Sequence, residues 1–458
     1  MIDTRNADYE KWLPIWRKCR DTYAGEETIH AGGETYLPAL TGQKPADYTR
    51  YKTRAVFFNA VGRTVEGMSG MIMRKKPIIT APDTLAALVA DFDMRGTGLI
   101  DFADGIVEEL SITNRIGILV DFPRASTVGM TLADIEAQGV RPYASVYKTE
   151  DILDWRYQRV GNRYMLTMVK LREIVQTANG DDTDTQELIR ILDLTDDGYR
   201  VRLYYMTKDG YKDYPDEEFY PLMNNAPLRE IPFVFDDAIS KPVLLDLVNI
   251  NLAHYRNSAD YEHGLHFTGL PTPIFWGANL LDDKGASMIS LGSASAYGFP
   301  SPEGHAEYLE FTGQGLGALK TAMDDKLQMM VALGSRYLGA EKRAAETAEA
   351  MTIRNAGENS IMSRIAQHGS EMVTKALMLM AQWMRVSGEI MVQINTDVNP
   401  AGISPQMMQQ LTAAYLSGAI SYETYFANLQ DGEIIANDRA LDDERLAIQD
   451  GGMTGAAQ

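Results

Sequence analysis

Glycines at 313 and 315 followed by Ala318 space a Gly-x-Gly-x-x-Ala loop, GQGLGA. Such a loop lets backbone close around a pyrophosphate at the N-terminus of a helix. It follows the strand-like run AEYLEF and opens a helical pattern, as a dinucleotide site requires. The fingerprint also needs a second parallel strand, ending in an acid that holds the ribose. The long stretch after the loop reads as helix with no such strand. Gly313, Gly315 and Gly317 therefore read as a flexible Gly-rich corner, with a cofactor-binding enzyme as the alternative. Lys320-Thr321 do not complete a phosphate loop, because Leu319 stands where that loop requires glycine.

His254, His263 and His266 fall on one helical stretch with Asp260 and Glu262, which raises the question of a metal. At about 100° per residue His254 and His263 point to opposite sides. Only His263 and His266 share a face, and HGLH lacks the glutamate of the HExxH zinc motif. They read as helix-surface histidines. No Gly-x-Ser-x-Gly elbow is present, and Cys19, the single cysteine, has no reason to be activated. The residues thus argue for no enzyme, no cofactor and no metal.

A second signal is one of charge. Residues 50–76 carry Arg50, Lys52, Arg54, Arg63, Arg74, Lys75 and Lys76 against one acid, Glu66. The chain as a whole has 43 bases and 63 acids, a formal charge of −20. A protein that grips nucleic acid by neutralising phosphates is expected to be basic. This chain would repel DNA over most of its surface. Three readings of the local reversal stay open: a solvated face, docking on an acidic neighbouring subunit through Arg50, Lys52, Arg54 and Arg63, or contact with nucleic acid.

The elements that must position these residues follow from periodicity. Tyr51, Ala55, Phe58, Val61, Val65, Met68 and Ile72 recur at threes and fours, which predicts one amphipathic helix over 48–73. A second helix is expected from Thr84 to about Arg115, leading into the apolar strand GILVDFP. Residues 142–236 alternate instead: RYMLTMVKLREIV, ELIRILDL and YRVRLYYM are strand patterns separated by turn signals. Nothing between them is long enough for a crossover helix, so the sheet should be antiparallel. The acidic run ANGDDTDTQ reads as a loop joining two of these strands.

Helix returns from 241 to about 266, and residues 267–313 form a β-rich insert with four prolines. From 303 to 399 there is no proline at all, which permits very long helices. LGSRYLGAEKRAAETA reads as a break, and residues 349–385 as one helix of about 55 Å, striped by Ile361, Ile365, Met372, Ala376, Met380 and Trp383. Residues 397–458 carry two arginines against nine acids and end in GGMTGAAQ, an expected disordered tail. Twenty-four methionines suit adaptable packing in a large oligomer. A chain of 458 residues with this mixture of elements is α+β and too large for one core. No apolar window is long enough to span a membrane, and the N-terminus MIDTRNADYE lacks a signal-peptide pattern. A cytosol, or a particle assembled there, is the expected setting.

Strand and helix, small β module, Gly-rich corner, helix, short break, long helix: this order, from IPFVFDDAISKPVLLDLVNINLAHYRNSADYEHGLHF to Met384, resembles the portal proteins of tailed bacteriophages. The wording is most similar to a portal-like subfamily known as a domain of unknown function. The resemblance implies a subunit with a wing at 1–240, a first stem helix at 241–266, a clip at 267–313 and a second stem helix at 314–335. A tunnel loop at 336–348, a long wing helix at 349–396 and a crown at 397–458 would complete it. It implies a homo-oligomeric ring, usually of twelve copies, at one vertex of the virion. Double-stranded DNA would pass through it during packaging and ejection. Its partners would be the terminase motor, a head–tail adaptor, and the major capsid protein or scaffold, with no membrane. Arg336, Lys342 and Arg343 would be the bases of the tunnel loop, and Lys320 and Lys326 those of the stem. Another head–tail connector or minor head protein is the neighbouring alternative.

Overall fold

The computed structural model describes residue 2 and residues 4–123, 139–179, 182–212, 214–224, 226–269, 272–276, 304–309, 313–338, 348–398, 405–432, 434–436 and 439–455. Its described helices, in chain order, are α1 (Ala7–Ala24), α2 (Glu26–Ala31), α3 (Pro45–Arg54), α4 (Ala60–Ile72), α5 (Ala86–Ala90) and α6 (Leu99–Thr113). They continue with α7 (Leu245–Gly269), α8 (Gln314–Leu338), α9 (Ala348–Trp383), α10 (Pro405–Leu416), α11 (Tyr422–Asp431) and α12 (Leu441–Gly455). Strands and helices are mixed, and the fold is α+β. The chain divides into two units. One holds Met1–Tyr23, Val61–Asp246 and Gly334–Gln458; the other holds Ala24–Ala60 and Leu247–Leu333.

The described residues of the larger unit form three main sheets and one short hairpin. β1 (Ile78–Thr80) pairs antiparallel with β14 (Met391–Gln393). β2 (Ile116–Asp121) lies between β3 (Tyr143–Lys148) and β11 (Phe233–Phe235). The third sheet runs β4 (Ile152–Val160), β5 (Arg163–Asn179), β6 (Asp182–Thr195), β7 (Gly198–Tyr205) and β8 (Glu217–Phe219), in sequence order and antiparallel throughout. Short hairpin strands β9 (Leu222–Met223) and β10 (Ala226–Pro227) follow. The alternation in RYMLTMVKLREIV gives this meander directly, since each strand turns back on its neighbour. The acidic run is not a loop of its own: β5 continues to Asn179 and β6 starts at Asp182, so most of it is paired strand.

Helix α9 lies on α6, β2, β11 and β14. Its buried residues Met362, Ile365, Ala366, Met372, Val373, Ala376, Leu377 and Met380 form one stripe at helical spacing. Gly369 permits a close approach, because a Cβ there would lie 3.1 Å from Ile394 Cδ1. Arg115 is buried with its guanidinium 4.1 Å from the Trp155 ring and 4.3 Å from that of Phe235. Burial lowers its pKa to about 10.

Several sequence expectations shift here. The single helix over 48–73 is two helices, α3 and α4, with extended chain between them. The helix from Thr84 to Arg115 is interrupted over 91–98. There Asp93 accepts from the Arg95 and Thr97 amides, and Met94 takes φ +59°. Those Asp–backbone bonds offer the chain a turn in place of the helix ladder. The long helix ends at Trp383 rather than near 396, and Arg385 at φ +56° redirects the chain into β14. Helix α12 runs to Gly455, into the segment expected to be disordered.

Candidate functional site

The smaller unit holds most of the elements in which the candidate residues were found; Arg63, Arg336, Lys342 and Arg343 belong to the larger one. Its scaffold is the part of α7 from Leu247 onward, where Leu247, Val248, Leu252, Tyr255 and Ala259 are buried. Polar residues sit on that same stripe: Asn251, His254 and Ser258 are also buried. Two of the three are hydrogen-bonded to backbone, as buried polar atoms should be.

Asn251 donates through Nδ2 to the Phe58 carbonyl at 2.8 Å and accepts the Ala60 amide on Oδ1 at 3.1 Å. Ser258 Oγ accepts the Val56 amide at 3.1 Å. Glu26 Oε2 accepts the Phe57 amide at 3.3 Å. The segment 55–59 is therefore held extended on the helix by side chains that stand in for a partner strand. Ala55 and Phe57 point inward, while Val56 and Phe58 stay exposed. This is why the helical periodicity over 48–73 fails at its centre. The Tyr51 hydroxyl donates to Asp260 at 2.6 Å, and Arg256 Nε donates to the Tyr36 carbonyl at 3.0 Å. None of these was singled out from the sequence as holding 55–59. The signal available was three polar residues, Asn251, His254 and Ser258, on an otherwise apolar helical stripe.

The histidines divide accordingly. His254 is buried, and desolvation lowers its pKa, assisted by Lys326 of α8 and opposed by Asp324. His263 packs edge-on against the Tyr51 ring at 5.3 Å, and burial lowers its pKa too, with Arg54 and His266 acting in the same direction. His266 lies 3.1 Å from an Arg54 nitrogen. Among the described residues, no group of three or more His, Cys, Asp or Glu could hold a metal ion. Cys19 in the larger unit is buried, which pushes its thiol up to about 12. A thiol so disposed is not a nucleophile at neutral pH.

After α7, β12 (Thr272–Trp276) pairs antiparallel with β13 (His305–Leu309), and Trp276 stacks on His305 at 4.6 Å. Residues 277–303 of the expected clip lie outside the described residues. Gly313, at φ +65°, forms the corner before α8, and its carbonyl accepts the Leu316 amide at 2.9 Å. Gly315, Gly317 and Ala318 are already within α8, so the corner is one glycine rather than three. The strand before the loop is antiparallel to its neighbour, and the next described element after α8 is α9. Among the described residues no βαβ unit is formed there. Helices α7 and α8 come close where Gly264 meets Leu316: a Cβ on Gly264 would lie 2.6 Å from Leu316 Cδ2.

Lys320 is exposed on α8, and Lys326 is half-buried, its Nζ 3.4 Å from the Ala322 carbonyl. Leu327, Met329 and Val331 are exposed apolar residues of the same helix. Arg336 falls within α8, which runs to Leu338, and not in a loop beginning at 336. The helical pattern simply continues through Gly334, where glycine costs only about 1 kcal/mol relative to alanine. Lys342 and Arg343 lie outside the described residues. Arg50, Lys52 and Arg54 share α3; Arg50 is exposed 3.7 Å from Asp47. Arg63 is on α4 in the other unit.

Comparison with known proteins places a family model, described as a domain of unknown function (DUF4055), over residues 243–384. No curated protein matches the chain. Among solved structures, a chain from the neck of an empty GTA particle, computed with C6 symmetry, aligns at a TM-score of 0.40 and 10% identity. The alignment covers 88% of this chain and 98% of that one.

Proposed function

We propose that this protein is the subunit of a portal-type head–tail connector, a ring that forms the DNA channel at one vertex of a phage-like virion. The observation that carries this reading is the order of elements over Leu245–Trp383. A 25-residue helix, an antiparallel strand pair, a second 25-residue helix and a 36-residue helix follow one another there. That is the stem, clip, stem and wing-helix sequence that the resemblance to portal proteins implies. The family match of unknown function covers the same block.

Two physical features support an oligomer. Helix α8 leaves Leu327, Met329 and Val331 exposed, and α10, twelve residues long, has no buried residue. A helix that short is marginal without packing partners. The net charge of −20, repeated around a ring, suits a conduit that passes DNA without holding it. On this reading the chain is not an enzyme and binds no cofactor. Twelve copies surround the duplex, the terminase motor docks during packaging, and a head–tail adaptor docks afterwards. The capsid protein or scaffold surrounds the ring, and the assembly packages, retains and ejects the genome.

Electron-microscope class averages of purified protein test this. Rings with a central hole are expected; a monomer that persists at micromolar concentration under assembly conditions sinks the reading.

A further inference from the structure

Strand β11 is the outer strand of its sheet, in the order β11, β2, β3. Its pairing fixes which of its backbone groups face outward. Val234 stands opposite Ile118, and two residues before it the Pro232 carbonyl accepts the Val120 amide. Antiparallel neighbours alternate between pairs that exchange both bonds and pairs that exchange none. Val234 therefore spends its amide and carbonyl on β2, while those of Phe233 and Phe235 point away from it. Two of the outward groups are used. The Phe233 amide donates to the Ile231 carbonyl at 2.8 Å, and the Phe235 carbonyl accepts the Tyr157 hydroxyl at 3.0 Å. The Phe233 carbonyl and the Phe235 amide have no partner among the described residues, although both residues are buried. Buried peptide groups are nearly always paired.

A cleft of about 590 Å³ lies beside that edge. Phe233, Val234 and Phe235 all line it. Successive strand residues face opposite ways, so a space that touches all three runs along the edge of the strand. Helix α9 forms the other wall, from Arg364 to Gln382. It runs opposite to β11: His368 bonds Asp236 at 2.6 Å, and near the other end the Asn224 side chain donates to the Gln382 carbonyl at 3.1 Å. The walls match in length. Residues 230–236 span about 20 Å extended, and residues 364–382 about 27 Å of helix. Met372, Met378 and Leu379 give the helix wall an apolar stretch. Charge marks the ends, Glu230 before the strand and Arg364 past it, and neither makes an ion pair among the described residues. Between them Asp236 is held by His368, and Glu371 and Lys375 lie one turn apart with opposite sign.

We infer that this cleft is a strand-addition site, which takes an extended peptide segment of about six to eight residues between β11 and α9. The occupant is polypeptide because the edge offers one acceptor and one donor at peptide spacing, the signature of recognition by added strand. It lies parallel to β11. A single incoming residue beside Val234 then gives its amide to the Phe233 carbonyl and its carbonyl to the Phe235 amide, which is the parallel pattern. That direction places the segment's first residues at Glu230 and its last at Arg364. The matching segment is therefore basic at its start, apolar on the face toward Met372 and Met378, and acidic at its end. The site lies within the larger unit and requires no second copy of the chain.

The test uses a labelled, end-blocked peptide, Lys-Thr-Val-Thr-Val-Thr-Asp, titrated against the full chain by fluorescence anisotropy. Saturable binding is expected. Methylating the three central amide nitrogens of the peptide should weaken it by about tenfold or more, because side chains are kept while the backbone donors are lost. This comparison leaves the protein untouched, so misfolding cannot imitate it. A second peptide ends in Lys instead of Asp and should bind wild type more weakly. Arg364 is exposed, and Arg364→Glu should keep the thermal unfolding midpoint while reversing the preference between the two peptides. No saturable binding at millimolar peptide overturns the inference. Equal binding of the methylated peptide, or an unchanged preference in Arg364→Glu, overturns it as well.

Discussion

Asn251 shows how one amide can decide the path of a distant segment. It bonds a carbonyl and an amide of chain that passes 193 and 191 residues earlier. Replacing it with alanine removes both bonds and leaves the Phe58 carbonyl and the Ala60 amide the 2.8 Å bond that they make to each other, at about 0.5–1.5 kcal/mol for each bond lost. Asn251→Ala should destabilise the smaller unit by about 1–3 kcal/mol and expose residues 55–60 to protease. Ser258→Ala, which removes one acceptor, should cost about 1 kcal/mol. Urea unfolding checks both, and equal stability of Asn251→Ala and wild type would show that the segment is held some other way. The two histidines of α7 whose pKa is lowered add a pH dependence. Burial depresses His254 and His263 below their ordinary 6.5. The unfolded chain then takes up protons that the folded one refuses. Stability from this source is full above 6.5, falls as pH drops below it, and levels off below the folded-state values. The urea midpoint should therefore drop between neutral pH and pH 5.5, and a His254→Gln/His263→Gln variant should drop less. Identical drops in the two proteins contradict this assignment.

At the scale of elements, the glycines before α8 separate what the sequence could say from what it could not. A Gly-rich run marks a corner, but not which glycine turns it. Only Gly313 has a positive φ, while Gly315 and Gly317 are helical with nothing within 4 Å of an added Cβ. Gly313→Ala should lower thermal stability by about 1–2 kcal/mol through left-handed strain. Gly315→Ala and Gly317→Ala should each raise it by up to about 1 kcal/mol through helix propensity. A calorimetric ranking in which all three lose stability alike would falsify this division. The same logic explains the legibility of the fold. Helix α9 was readable because its stripe and the absence of proline are local, and the five-stranded sheet because alternation is local. The extended break at 55–59 was not, since its cause sits on Asn251 and Ser258 of another helix. The turn at 91–98 depended on which backbone amides Asp93 would accept. In the candidate site the bases of α3 and α8 could be named from sequence, but not that Arg336 belongs to a helix. Periodicity alone does not say where a helix stops when glycine follows.

At the scale of the whole molecule, the portal reading has DNA passing a surface that mostly repels it. A chain of charge −20 should bind duplex weakly at physiological salt, and on the portal reading any attraction must come from a few bases that the proposed ring repeats. Arg336, in the last turn of α8, and Lys342 and Arg343 soon after it are the bases that the portal reading sets nearest the duplex. A base at a solvent-exposed site contributes about 1 kcal/mol or less, screened by salt. One copy would hardly be felt, but a ring presents the set many times to the same duplex. Replacing the three with alanine should therefore leave folding and ring formation unchanged and shorten the DNA retained per particle. Raising the ionic strength around wild-type particles should shift retention in the same direction, because it weakens the same attraction. The Arg336→Ala variant alone should show a fraction of the defect, which tests whether the end of α8 shares the role of the residues beyond it. A triple variant that packages and retains DNA normally removes these bases from the channel. One that folds but no longer forms rings puts them instead at a contact between subunits.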